Sequence, residues 1–226
     1  MFTKQQNEKF DDEDLKLKIR AASYFEDIII PIIKTFTRQK IRGYHGLEHT
    51  ELVAFRIIDI ALSEGYTDFR NEVLPLLFAA ALHDSARTDD AYNETHGPDA
   101  ATRPETQSFL DEHAFLLSGL QKMEIKSAVA KHTSIMPSLF RKYSFIHRCL
   151  CDADRARLSW EHGYQSKYFF TKKGKELAAM SPQQVKTYLI GWEDLLQRNK
   201  IRHVGRKFLQ RYSFGDHVYF VEPKEN

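Results

Sequence analysis

The segment Leu82-His83-Asp84-Ser85-Ala86-Arg87 closes the most apolar run of the 226-residue chain, Val73 to Leu82. It sets an imidazole and a carboxylate side by side at the end of an otherwise dry stretch. Burying either group unpartnered is costly, so such a doublet reaches water, pairs internally or holds a cation. His49 and Asp154 bear on that choice, because each lies on the apolar, inward face of its own predicted helix. Two imidazoles and two carboxylates make a mixed nitrogen and oxygen donor set. Such a set suits Mn, Fe, Co, Ni or Zn rather than calcium, which prefers oxygen alone. Ten histidines make chance pairings common, so the conjunction of His49, His83, Asp84 and Asp154 carries the signal rather than any one spacing. An ion held there would lower the pKa of its water toward ~7, supplying hydroxide at neutral pH. Arg87, just past the doublet, is placed to clamp an anionic group bidentately. His45 precedes His49 by four residues, so a helix extended back one turn puts both rings on one side, one to ligate and one to face the substrate.

The elements that must position these groups read as helices. Acidic Asp11 to Asp14 and apolar positions from Leu17 to Ile32 predict a long helix from about Asp12 to Arg42, kinked near Pro31. Gly43 and Gly46 break the pattern around Tyr44-His45. Leu47 to Ser63 follows as an amphipathic helix, with Leu52, Val53, Ile57, Ile60 and Ala61 inward and Glu51 and Arg56 largely off that face. A third helix runs from about Phe69 to Asp84, with Pro75 in its first turn or at a kink. Ser85 to Thr95 reads as a loop. His96-Gly97-Pro98-Asp99 opens a further helix that Pro104 disturbs. Gln121 to about His132 carries Ile125, Ala128 and Val129 on the face of His132, and Ser138 to Ser159 places Ile146, His147, Leu150 and Cys151 with Asp154. Ser181-Pro182 reads as N-cap and first residue of a helix to about Gln197. Tyr212 to Val221 alternates aromatic and β-branched residues, as a short strand or extended tail would. The expected fold is all-α, a single domain over 1–226 with the motif-bearing core at 44–158, an N-terminal helix at 12–42 and a helical C-terminal extension at 160–226.

Composition narrows the function classes. A hydrophobic fraction of 42%, a charged fraction of 28% and a formal net charge of +2 argue against a dedicated nucleic-acid binder. Met1 to Gln6 lacks the apolar core of a signal peptide, and Ile28 to Ile33 is too short to span a bilayer. A cytoplasmic protein with no membrane contact is expected. Cys149 and Cys151, two apart on a predicted helix, diverge and read as reduced, buried thiols.

At these residues the sequence resembles the HD-domain phosphohydrolase superfamily, whose pattern is a histidine, a His-Asp doublet and a distant aspartate. The pattern maps onto His49, His83-Asp84 and Asp154, the last within Cys-Asp-Ala-Asp-Arg-Ala-Arg-Leu, which is similar to that family's Ala-Asp-Arg segment. Asp152 competes for the last position. Tyr44-His45-Gly46-Leu47-Glu48-His49 is also similar to the Tyr-His-Asn-x-x-His stretch of cyclic-nucleotide phosphodiesterases in that superfamily, with Gly46 in place of asparagine. The resemblance implies that His45 contacts phosphate or protonates the leaving oxygen. It also implies that His96 and His132 fall where some members place histidines for a second metal or for substrate. The resemblance covers about Tyr44 to Leu158. A second branch is similar too, the phosphodiesterase domains of bacterial effectors that process ADP-ribosylated ubiquitin. That metal-free, histidine-based route uses a glutamate just after the arginine, where this chain has Thr88, with Glu94 some way on.

The leading expectation is therefore a metal-dependent phosphohydrolase acting on a nucleotide or another small phosphorylated compound. Its cofactor is a divalent ion (Mn, Fe, Co, Ni, Mg or Zn), its ligands are His49, His83, Asp84 and Asp154, and its catalytic groups are His45, Arg87 and His132. His96 is reserved for a second metal or substrate. The alternatives are a metal-independent phosphodiesterase acting on an ADP-ribosylated or phosphoribosylated protein such as ubiquitin, and a non-catalytic nucleic-acid or protein binding module on the same scaffold. The last draws on the basic residues Lys172, Lys173, Lys175, Lys200, Arg202, Arg206, Lys207 and Arg211, which read first as a solvated face. His113, His147, His162, His203 and His217 receive structural readings only.

Overall fold

The protein is described by a computed structural model covering residues 4–38, 45–88, 95–113, 115–133, 143–162 and 166–201. Among the described residues the fold is all-helical. The predicted strand at 212–221 lies outside them, as do 39–42 of the expected first helix and 138–142 of the expected helix through Asp154.

The first helix, α1 (Lys4–Tyr24), starts earlier than its acidic run predicts, and it ends in a π-helical turn, Phe25–Ile29, before α2 (Ile30–Phe36). The irregularity falls ahead of Pro31 rather than at it. Pro31 has no N–H to return to the preceding turn, and the backbone widens there so that Ile30 N–H bonds Phe25 O instead. Thr37 is then extended, ending the helix six residues before Gly43.

Next comes α3 (Leu47–Ser63), with the predicted limits, but its amphipathic reading fails. Glu51 and Arg56 are both fully buried, so this helix is enclosed on nearly every side. Arg56 is held inside by donating from Nη1 to the Ala153 carbonyl at 3.1 Å. After a second π turn, Phe69–Val73, capped by the Asp68 carboxylate, α4 (Leu74–Leu82) takes Pro75 in its first turn. All of its residues are buried, as expected of a helix that is apolar all round.

Pro104 does not merely disturb the next helix but divides it: α5 (His96–Thr102) ends at Arg103, and α6 (Pro104–Glu112) starts with proline at its first position. Ser118 and Gln121 form a capping box for α7 (Gly119–Lys131). The long α8 (Phe145–His162) precedes a short 3₁₀ turn, Ser166–Tyr168, and α9 (Lys172–Ala178). Finally α10 (Pro182–Arg198) is capped by Ser181 as its sequence predicts.

Helices α3, α4, α7 and α8 pack on one another, with α5 against α7, α9 against α8 and α3, and α1 across α3. A single apolar cluster runs from Ala21 through Ile201. Asp59 fastens the outer helices to it, accepting from Lys18 Nζ at 2.6 Å, Tyr188 OH at 2.7 Å and Trp192 Nε1 at 2.8 Å. Among the described residues no helix is long and apolar enough to cross a membrane. Cys149 and Cys151 are free and buried, and burial pushes both thiols up, Cys151 to about 12.

Candidate metal centre

The dry helix α4 ends inside the protein, so its last carbonyls need partners that water cannot supply. His83 provides one. Its Nδ1–H donates to Ala80 O at 2.7 Å, which fixes the tautomer and turns the Nε2 lone pair away from the helix. That nitrogen has no hydrogen-bond partner in good geometry, yet Asp84 Oδ2 lies 3.4 Å and Asp154 Oδ1 3.9 Å away. A lone pair facing two carboxylates demands positive charge between them, either a proton or a metal ion. Burial opposes a charged ring, but the charge and contact of Asp84, with that of Asp154, outweigh it and raise His83 to about 9. The proton on Nε2 thus stands where a cation would.

His49, in the first turn of α3, reaches the same two carboxylates. Its Nε2–H donates to Asp154 Oδ1 at 2.9 Å, and Nε2 lies 3.8 Å from Asp84 Oδ2. Burial keeps the ring neutral, lowering it to about 3 despite the Asp154 bond. Ligation through Nε2 would move the proton to Nδ1, which has no partner. His49, His83 and Asp154 therefore form a donor group close enough to hold a divalent ion, and Asp84 Oδ2, 3.4 Å from His83 Nε2 and 3.8 Å from His49 Nε2, borders it.

Asp84 is the hub. Oδ2 accepts from His45 Nδ1 at 3.0 Å, and Oδ1 accepts from Arg87 Nε at 2.9 Å. Oδ1 also lies 3.2 Å from His96 Nε2 and 3.9 Å from His132 Nε2. Burial would raise this carboxyl, but the His83 charge, the bond from His45 and the close approach of His83 and His96 hold it well below the usual range. Asp154 is likewise held low, chiefly through His49, against the effect of burial. Three overlapping donor groups result: His45, His49 and Asp84; His49, His83 and Asp154; and Asp84, His96 and His132.

Comparisons with protein-family models, curated proteins and solved structures find no match.

The structure brings together every residue that the sequence singled out for the site, but not all in the expected posture. Arg87 is not turned outward. Its side chain is 8% exposed and engages Asp84, making it first a counter-ion to a buried carboxylate. His132 lies behind Asp84 rather than at an opening. Its Nδ1–H donates to Val129 O at 2.6 Å, and its Nε2 lies 3.1 Å from His96 Nε2. Burial, reinforced by the His83 charge, lowers it to about 3, so the ring is neutral. The cluster meets solvent where His45 is 17% and Asp154 21% exposed.

Asp152 points the other way, into donors from Phe170 and Thr171. Gly97 reads in the sequence only as part of a helix start, although it follows His96 directly. A Cβ there would meet Val129 O at 2.8 Å and His132 Nδ1 at 3.2 Å, so only glycine lets α5 close on α7 and bring His96 to His132. His147 is buried against Tyr143, away from these bonds, and burial lowers it to about 4. On the basic face, Lys172 and Lys175 are exposed and Lys173 pairs with Glu176 at 3.2 Å, while 202–211 lie outside the described residues.

Proposed function

We propose that the chain is a metal-dependent phosphohydrolase that cleaves a phosphate ester of a nucleotide or another small phosphorylated compound. The observation that carries this reading is the buried His83 Nε2, which has no hydrogen-bond partner in good geometry and lies 3.4 Å from the Asp84 carboxylate and 3.9 Å from that of Asp154. His49, His83, Asp84 and Asp154 would hold the ion, and the donor set accepts Mn, Fe, Co, Ni, Zn or, more weakly, Mg. Bound there, a divalent ion lowers the pKa of a coordinated water and draws charge from the phosphoryl oxygens.

The remaining steps belong to the protein. His45, at the opening, is oriented by its Nδ1–H bond to Asp84, and in its imidazolium form it would pass the Nε2 proton to the leaving oxygen and become neutral. Arg87 balances Asp84 from the buried side, so the carboxylate keeps its charge in a dry setting. The histidines behind Asp84 keep that side closed to water.

Elemental analysis of the purified protein, followed by a screen of nucleotides, phosphomonoesters and cyclic dinucleotides with and without chelator, tests the reading. Stoichiometric metal and hydrolysis that chelator abolishes and Mn²⁺ restores are expected. Metal-free protein with full activity overturns it.

One observation favours a second reading. Both oxygens of Asp84 are already met by donors, His45 Nδ1 and Arg87 Nε, so a His–Asp pair is assembled without any ion. That arrangement suits a metal-independent phosphodiesterase acting on an ADP-ribosylated or phosphoribosylated protein such as ubiquitin. Chelator-insensitive release from such a protein, lost in His45→Ala, would select it.

A further inference from the structure

The turn that carries Asp84 leaves α4 inside the protein, and its backbone must be satisfied there. Leu82 O accepts from Ser85 N–H at 3.0 Å, and Asp84 O accepts from Arg87 N–H at 2.9 Å. Ser85 O remains, next to the carboxylate hub. It accepts from Arg38 N–H at 3.0 Å and from Arg103 Nη1 at 2.9 Å. The same guanidinium donates through Nη2 to Phe36 O at 3.2 Å and to Glu105 Oε1 at 3.0 Å. Phe36 is the last residue of α2, and Ser85 lies just past the end of α4. Arg103 therefore joins two helix C-termini, both at the negative end of their dipoles, through one rigid fork. Arg103 also terminates α5, the helix that begins with His96. It bonds the ends of both α2 and α4 while closing the helix that faces Asp84 Oδ1; the Thr37 hydroxyl, from the end of α2, adds a longer bond to Ser85 O at 3.4 Å.

We infer that Arg103 is a positioning residue that sets where Asp84 stands relative to His83 and His96. The inference rests on the metal-centre reading for its ligand but not for its geometry. Arg103 touches no reacting group. It acts through the Ser85 carbonyl, one residue from Asp84, and through the register of α5. Lysine can replace its charge but not the planar fork that spans both carbonyls.

The experiment compares wild type, Arg103→Met, Arg103→Lys and, as a control destabilised elsewhere, Asp59→Asn. Two readouts are taken on the full chain: Mn²⁺ titration by calorimetry, and imidazole ¹⁵N–¹H correlations that report the tautomers of His83 and His96 without metal. Arg103→Met should weaken Mn²⁺ by about tenfold or more, as loss of an outer partner does at other metal sites. It should also shift the His83 and His96 signals. Arg103→Lys should fall between it and wild type. Asp59→Asn should lower the unfolding midpoint while leaving both readouts at wild-type values. Should Arg103→Met fail to fold, Arg103→Lys decides the matter by the same two readouts. Wild-type Mn²⁺ affinity together with unchanged imidazole signals in the folded Arg103 variants overturns the inference. A wild-type chain that takes up no Mn²⁺ sinks the metal reading instead, and the imidazole signals alone then decide Arg103.

Discussion

Asp152 and Asp154 lie two residues apart on α8 and are held in opposite ways. Asp152 turns toward the start of α9, where it accepts from Phe170 N–H at 2.9 Å, Thr171 N–H at 2.7 Å and the Thr171 hydroxyl at 2.7 Å. All of these donors are neutral. Burial still pushes its carboxyl above the ordinary range, because dipoles compensate a buried charge incompletely. Asp154 turns toward His49 and His83, and imidazoles hold it below that range although burial opposes them. Residue type and helix are the same, and only the partners differ. A carboxylate saturated by backbone and hydroxyl donors fastens one helix to another. A carboxylate ringed by groups that can lose protons can trade a proton for a metal ion.

The comparison can be broken at several points. The largest effect belongs to the site end. His83→Ala or Asp84→Ala should lose bound metal and lower turnover by more than about a hundredfold, since first-layer ligands matter at least as much as their outer partners. Elemental analysis and a phosphatase assay check this. Asp154→Asn should behave alike in activity.

Asp152→Asn should show the reverse. An amide nitrogen would face the Thr171 N–H, so a cost of about 2–3 kcal/mol is expected, lowering the thermal midpoint by about 5–10 °C while metal content persists. Equal losses of metal in the two asparagine variants would erase the difference between the two carboxylates.

Gly174 sharpens the structural end. A Cβ would sit 2.3 Å from Asp152 Oδ2, so Gly174→Ala must displace the carboxylate and should cost about 1–3 kcal/mol in a denaturant titration. The smallest effect involves a third kind of buried carboxyl. Glu26 is 5% exposed, and burial, then its neighbour Glu51, raises it well above its ordinary value of 4.5. The folded state therefore holds this proton more tightly than the unfolded chain. The stability Glu26 contributes is complete below that ordinary value and is lost as pH rises through the folded one. Glu26→Gln should flatten this decline, seen as a urea midpoint that varies less with pH between about 4 and 8 than in wild type.

Much of the frame was legible in the chain. Gly46 ahead of a long apolar pattern marked α3 to the residue, and Ser181-Pro182 marked the start of α10. The apolar run before His83 marked a helix, which the structure buries on all sides. Where reading by period failed, the deciding atoms were remote. Glu51 and Arg56 looked solvent-facing because their helix has polar residues off one stripe, yet Arg56 finds its acceptor, Ala153 O, 97 residues away.

The order of residue types alone determined that an imidazole and a carboxylate end an apolar helix, and that His45, His49 and Asp154 are further groups able to join them. It did not determine that Asp154 rather than Asp152 faces the imidazoles, that Arg87 lies behind Asp84, or that His132 and His96 meet. Those outcomes depend on which atoms come within about 3 Å of one another. The 3.6-residue period assigns a face, whereas the partner on that face is supplied by a segment folded back from elsewhere. For Asp152 that segment lies 18 and 19 residues on, and for Asp154 it lies 105 residues before.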